Sequence, residues 1–119
     1  KNTISHSGMP TYSTHDKFVK NHPYRSWYLV KNTELYIGSF YITTQNTIGI
    51  NVFEENTRTV TPDILSFVCN NYKPLPPIPS VRGERFAINV PLGNTVLTEA
   101  LEEIGAKILQ VTHSIPKQM

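Results

Sequence analysis

A chain of 119 residues is one domain's worth of polypeptide. At 39% apolar and 17% charged residues it can bury a core without disulfides or metal staples. Eleven Lys and Arg against nine Asp and Glu leave a formal charge of +2, too small and too evenly spread to argue for nucleic acid or an anionic membrane as partner. The longest apolar runs are a few residues, which excludes a bilayer-spanning helix, and a lone cysteine, Cys69, excludes an internal disulfide framework or a multi-cysteine zinc site.

No charged-then-apolar leader opens the sequence, and a reducing cytoplasm is the simplest compartment for a one-cysteine chain. Residues 1–119 read as one domain, with 1–10 polar and irregular. Thr11 or Ser13 then caps a short helix reaching about Lys20, with Tyr12, His15, Phe18 and Val19 three to four apart. Asn21-His22-Pro23 breaks it. Residues 24–31, 35–44 and 47–53 are dense in β-branched and aromatic side chains and are separated by short polar turns, which predicts three antiparallel strands in a meander.

A second helix is predicted from Thr61, with Pro62 in its first turn and Asp63 at the positive end of its dipole. Ile64, Leu65, Phe67, Val68 and Tyr72 form its buried stripe, and Cys69 counts as a core residue. The prolines at 74, 76, 77 and 79 stop it and stiffen the chain to about Gly83. Residues 85–90 read as a fourth strand, parallel to 47–53. The last helix is capped by Asn94, lined by Leu97, Ala100, Leu101 and Ile104, and ended by Gly105. Residues 107–115 read as a final strand. The expected order is α-β-β-β-α-β-α-β, an α+β domain with a mixed, mostly antiparallel sheet flanked by helices.

Val90, then three residues, Asn94, Ala100-Leu101 and Gly105-Ala106, with Ile37-Gly38 earlier and His15, Phe18 and Tyr24-Arg25-x-Trp27-Tyr28 before that, stand in an order that resembles the GNAT superfamily of N-acetyltransferases over roughly residues 11–115. The superfamily's first strand and helix have no counterpart. The resemblance implies a GNAT-like fold, acetyl-CoA as cofactor, and direct acetyl transfer to a small-molecule or peptide amine. It implies that backbone groups at Asn51, Val52 and Phe53 hold the pantetheine arm and polarise the thioester, and that Asn94 touches the cofactor.

Two departures stand out. The superfamily's pyrophosphate loop is glycine-rich, which lets backbone amides approach the phosphates. Here residues 54–61, Glu-Glu-Asn-Thr-Arg-Thr-Val-Thr, contain no glycine, leaving Thr57, Arg58, Thr59 and Thr61 as phosphate-binding candidates or else as an ordinary capped turn. Leu101 stands where many members keep a proton-donating Tyr, and Leu donates nothing. Glu54, slightly ahead of Glu55, is the candidate general base; the alternative is a solvated pair at a strand end. His22, Tyr24 and Arg25 are candidate grips for the acceptor, or merely turn the chain ahead of Trp27.

The histidines lie in different elements with no His-x-x-x-His spacing, so no metal is expected, and no Gly-x-Ser-x-Gly elbow occurs. The missing first strand and helix leave one flank of the sheet without cover, from which a homodimer or association with a neighbouring segment is expected. The sequence therefore supports an acetyl-CoA-dependent N-acetyltransferase, with a GNAT-like binding or assembly module that has lost catalysis as the alternative.

Overall fold

The three β-rich runs form the centre of a mixed sheet in an α+β chain. The computed structural model describes residues 3–4, 11–14 and 24–118. Their order is β1 (Thr3–Ile4), β2 (Thr11–Thr14), β3 (Tyr24–Asn32), β4 (Leu35–Thr43), β5 (Thr47–Val52), α1 (Glu54–Asn71), β6 (Ala87–Ile88) and α2 (Thr95–Glu103). The strands pair in sequence order, β1 to β6. All pairings are antiparallel except β5 with β6, which is parallel at Thr47↔Ala87 and Ile48↔Ile88. The expected meander and the parallel neighbour of β5 are thus present, the latter as two residues rather than six.

One face of the sheet carries Tyr28, Val30, Phe40, Ile42, Ile48 and Ile50 into the core. They meet Val60, Ile64, Phe67 and Val68 of α1 and Leu97 and Leu101 of α2. Tyr28 stacks on Phe40 at 4.9 Å between ring centroids and meets the edge of Phe67 at 5.2 Å. On the opposite face Tyr41 stacks on Tyr24 at 4.1 Å. Its ring also lies over Gly49, where any Cβ would collide with it.

α2 follows its sequence signals closely. Asn94 Oδ1 accepts from the Leu97 amide at 3.1 Å. Leu97, Ala100 and Leu101 are buried, while Glu99, Glu102 and Glu103 face solvent. Ile104, expected on the buried face, is exposed because it is the C-cap, past the last helical turn. Gly105, at φ +91°, and Ala106 donate back to Glu102 and Leu101 in a two-bond cap that needs a left-handed residue. Leu101→Ala is expected to cost about 2–5 kcal/mol in urea unfolding, as truncations of buried leucine do; a loss below about 1 kcal/mol would show that α2 does not pack as described.

Five expectations need correction. Residues 11–14 are a strand, not the start of a helix: Thr-Tyr-Ser-Thr has strong β preference and pairs residue for residue with β3 from Thr11↔Lys31 to Thr14↔Tyr28. The rest of that expected helix lies outside the described residues. Within the supposedly irregular 1–10, Thr3–Ile4 pairs with β2.

The helix expected from Thr61 starts two turns earlier, at Glu54, and Pro62 lies inside it. Thr57, Val60 and Thr61 extend the buried stripe backwards, and that burial offsets the roughly 3 kcal/mol that an interior proline costs. Cys69 is exposed, one position past buried Val68. Finally, 107–115 is no strand: every residue from Glu102 to Gln118 is exposed, and a strand-like pattern without a partner strand makes no ladder. No helix among the described residues is long and apolar enough to cross a membrane.

Candidate functional site

The short pairing of β6 opens a cleft. β5 continues past Ile48 to Val52, but β6 follows it only at Thr47 and Ile48. Backbone groups alternate sides along a strand. The Phe53 amide donates to Ile37 O at 3.0 Å, so Phe53 and, two residues back, Asn51 turn their amides and carbonyls toward β4. Ile50 and Val52 turn theirs the other way, into the gap that β6 leaves.

At the mouth of that gap lies a cavity of about 250 Å³, lined by Val52, Glu54, Thr57, Gly93, Asn94, Thr95 and Val96. It sits between the N-terminal turns of α1 and α2. Phe53 offers α1 no side-chain cap, and Glu54 and Glu55 complement the positive end of its dipole instead. Pro91 to Asn94 turns the chain into α2: the Asn94 amide donates to Pro91 O at 3.0 Å, and Thr98 Oγ1 donates to Asn94 O at 3.1 Å.

Of the residues singled out by sequence, the cavity brings together Val52, Glu54, Thr57 and Asn94. Asn51 and Phe53 are next to it, exposed, with backbones committed to β4. Because 54–61 is helix, its polar residues spread around a cylinder instead of converging. Thr57 Oγ1 donates to Phe53 O at 3.0 Å and Thr61 Oγ1 to Thr57 O at 2.7 Å, both from buried positions. Thr59 faces solvent. Arg58 leans onto α2, where it pairs with Glu99 at 2.8 Å and with Glu103. An arginine held between two carboxylates is a poor starting point for gripping phosphate.

The acceptor candidates lie elsewhere. Tyr24 pairs with Thr43, whereas Val52 pairs with Gly38. The two ends are separated by β4 from Thr43 to Gly38, roughly 17 Å at strand spacing. There Arg25 donates to Lys73 O at 2.8 Å and lies over the Tyr72 ring. Tyr72 in turn meets the Tyr28 hydroxyl and donates to Ser26 Oγ at 2.8 Å. His22 lies outside the described residues.

Ile50 and the run Gly93, Thr95, Val96 were not singled out from sequence. Strand alternation in Thr47–Val52, once its sides are fixed, assigns Ile50 to the cleft. The Pro-Leu-Gly-Asn turn before the cap is the signal for the other three. Among the described residues no group of three or more His, Cys, Asp or Glu is placed to hold a metal. No family model matches the chain, and neither a curated protein nor a solved structure matches it.

Proposed function

We propose that the chain is a GNAT-like N-acetyltransferase that takes acetyl-CoA in the cleft between β5 and β6 and transfers its acetyl group directly to an amine of a small molecule or peptide. The observation that carries this reading is the backbone edge of Ile50 and Val52, turned into a gap with a cavity at its end. An extended pantetheine arm has amide donors and acceptors that match such an edge as an added strand would. The Val52 amide, near the helix N-termini, polarises the thioester carbonyl. Glu54 takes the proton from the attacking amine, directly or through one water. The C–N bond forms as the C–S bond breaks, and the leaving thiolate takes its proton from solvent, since Leu101 is buried and has none to give.

The phosphates of the cofactor contribute little here, because Arg58 is engaged and the Thr57 and Thr61 hydroxyls are used within α1. Affinity is therefore expected to be weak, on the order of tens of micromolar, and S-acetylpantetheine is expected to bind within roughly threefold of acetyl-CoA. Calorimetry gives the affinities, and amide chemical shifts show whether Ile50 and Val52 respond. The engagement of Arg58 also favours a second reading, a GNAT-like binding or assembly module without catalysis. No heat with either ligand, or saturation with both amides unmoved, would leave that second reading standing.

A further inference from the structure

Residues 107–115, Lys-Ile-Leu-Gln-Val-Thr-His-Ser-Ile, have the composition and alternation of a half-buried strand. Leu109, Val111 and Ile115 fall on one face with period two, together with Lys107 and His113, and Gln110, Thr112 and Ser114 fall on the other with Ile108. Yet Ile108 and Leu109 are each 81% exposed, and Val111 and Ile115 each 72%. Four large aliphatic side chains within nine residues, bare to water, are more than a settled surface ordinarily carries on one strand-length.

The same chain offers the complement. Among the described residues β6 is the last strand of the sheet, with β5 on one side only. Ala87 donates to Asn46 O at 2.9 Å, toward β5. By alternation Ile88 turns its amide and carbonyl outward, where a further strand would pair.

A segment that could lie on this edge leaves α2 through a fixed exit. The Gly105 and Ala106 amides bond back to Glu102 and Leu101, and beyond that cap nothing is buried up to Gln118. In the single chain 107–115 therefore lies on no surface of its own, while the edge of β6 that could take it stays open.

We propose that 107–115 is an exchanged strand: in a two-fold dimer, each copy's segment extends the sheet of the other next to β6. Strand and edge on one chain make the interface isologous, so it closes at two copies and does not propagate. The paired apolar face covers Leu109, Val111 and Ile115 in both copies. This inference is independent of the acetyltransferase reading.

Sedimentation equilibrium from low to high micromolar concentration should give a dimer for the wild type. The double variant Leu109→Asp, Val111→Asp should weaken that dimer by roughly a hundredfold or more. Both positions are exposed in the single chain, so the variant should still unfold cooperatively in urea, losing from its circular dichroism only the strand signal of the exchanged segment. The Ile88 amide should be protected from hydrogen exchange in the wild-type dimer and not in the variant. A wild type that stays monomeric overturns the proposal, whether or not its segment is protected. So does a variant that dimerises as well as the wild type, or a dimer in which Ile88 exchanges freely.

Discussion

Asn46→Ala is expected to destabilise the protein by about 3–5 kcal/mol, the largest effect of any polar substitution described here. Asn46 is 1% exposed and sits at φ +63° in the turn between β4 and β5. Its Nδ2 donates to Leu75 O at 2.8 Å and Gly83 O at 2.9 Å, and its Oδ1 accepts from the Leu75 amide at 2.8 Å. Alanine deletes all three bonds, leaves the part-buried Leu75 amide and carbonyl and the Gly83 carbonyl without their side-chain partner, and tolerates positive φ less well than asparagine. Because these bonds anchor both ends of the segment leading to β6, the variant should also blur the cleft. Asn46→Asp keeps the shape but loses both donors and buries a charge, so it should cost at least as much near neutral pH. Urea denaturation checks both; a loss under about 1 kcal/mol for the alanine variant would mean that the segment is held by other contacts.

Gly38→Ala should cost about 2–3 kcal/mol and lower the melting temperature by roughly 10 °C. A Cβ at Gly38 would stand 2.6 Å from Val52 Cα and closer still to Asn51 O, both backbone atoms with little freedom to retreat. Gly38 lies opposite Val52 in the ladder, and the next residue back, Ile37, accepts the Phe53 amide. The strain is thus delivered to the last residues of β5, which border the cavity. Scanning calorimetry gives the stability term. Val52 amide shifts show whether the displacement reaches the cleft; an unshifted melting temperature would place Asn51 and Val52 farther from Gly38 than described.

The central meander, the last helix and the parallel pairing of β5 with β6 were readable because local signals agreed with tertiary context. Asn94 and Gly105 both cap, and Leu97, Ala100 and Leu101 fall on one helical face. Where local signals conflicted, packing decided. Thr61-Pro62-Asp63 is a strong helix start, yet Thr57, Val60 and Thr61 bury against the core, and the helix runs through the proline. At 107–115 the period-two pattern reads as a strand, but only a neighbour with open backbone groups turns such a pattern into a ladder. The candidate site was half legible. Sequence pointed to the end of β5 and to Asn94. It did not separate Ile50 and Val52 from Asn51 and Phe53, because which side a backbone group faces depends on which strand pairs where. That Tyr24 and Arg25 lie far from the cavity was not legible for a similar reason: the distance is set by the register along β4, and composition carries no register.

The Tyr41 ring lying over Gly49 makes these two positions one unit of variation. A side chain at 49 is admissible only if the ring at 41 shrinks or swings away, and a smaller residue at 41 would strip cover from the glycine backbone beneath it. Each change alone is penalised and the double change much less so. Any lineage of this chain that drifts should therefore cross this point in paired steps, and a library randomised at both positions should return the aromatic and the glycine together or neither.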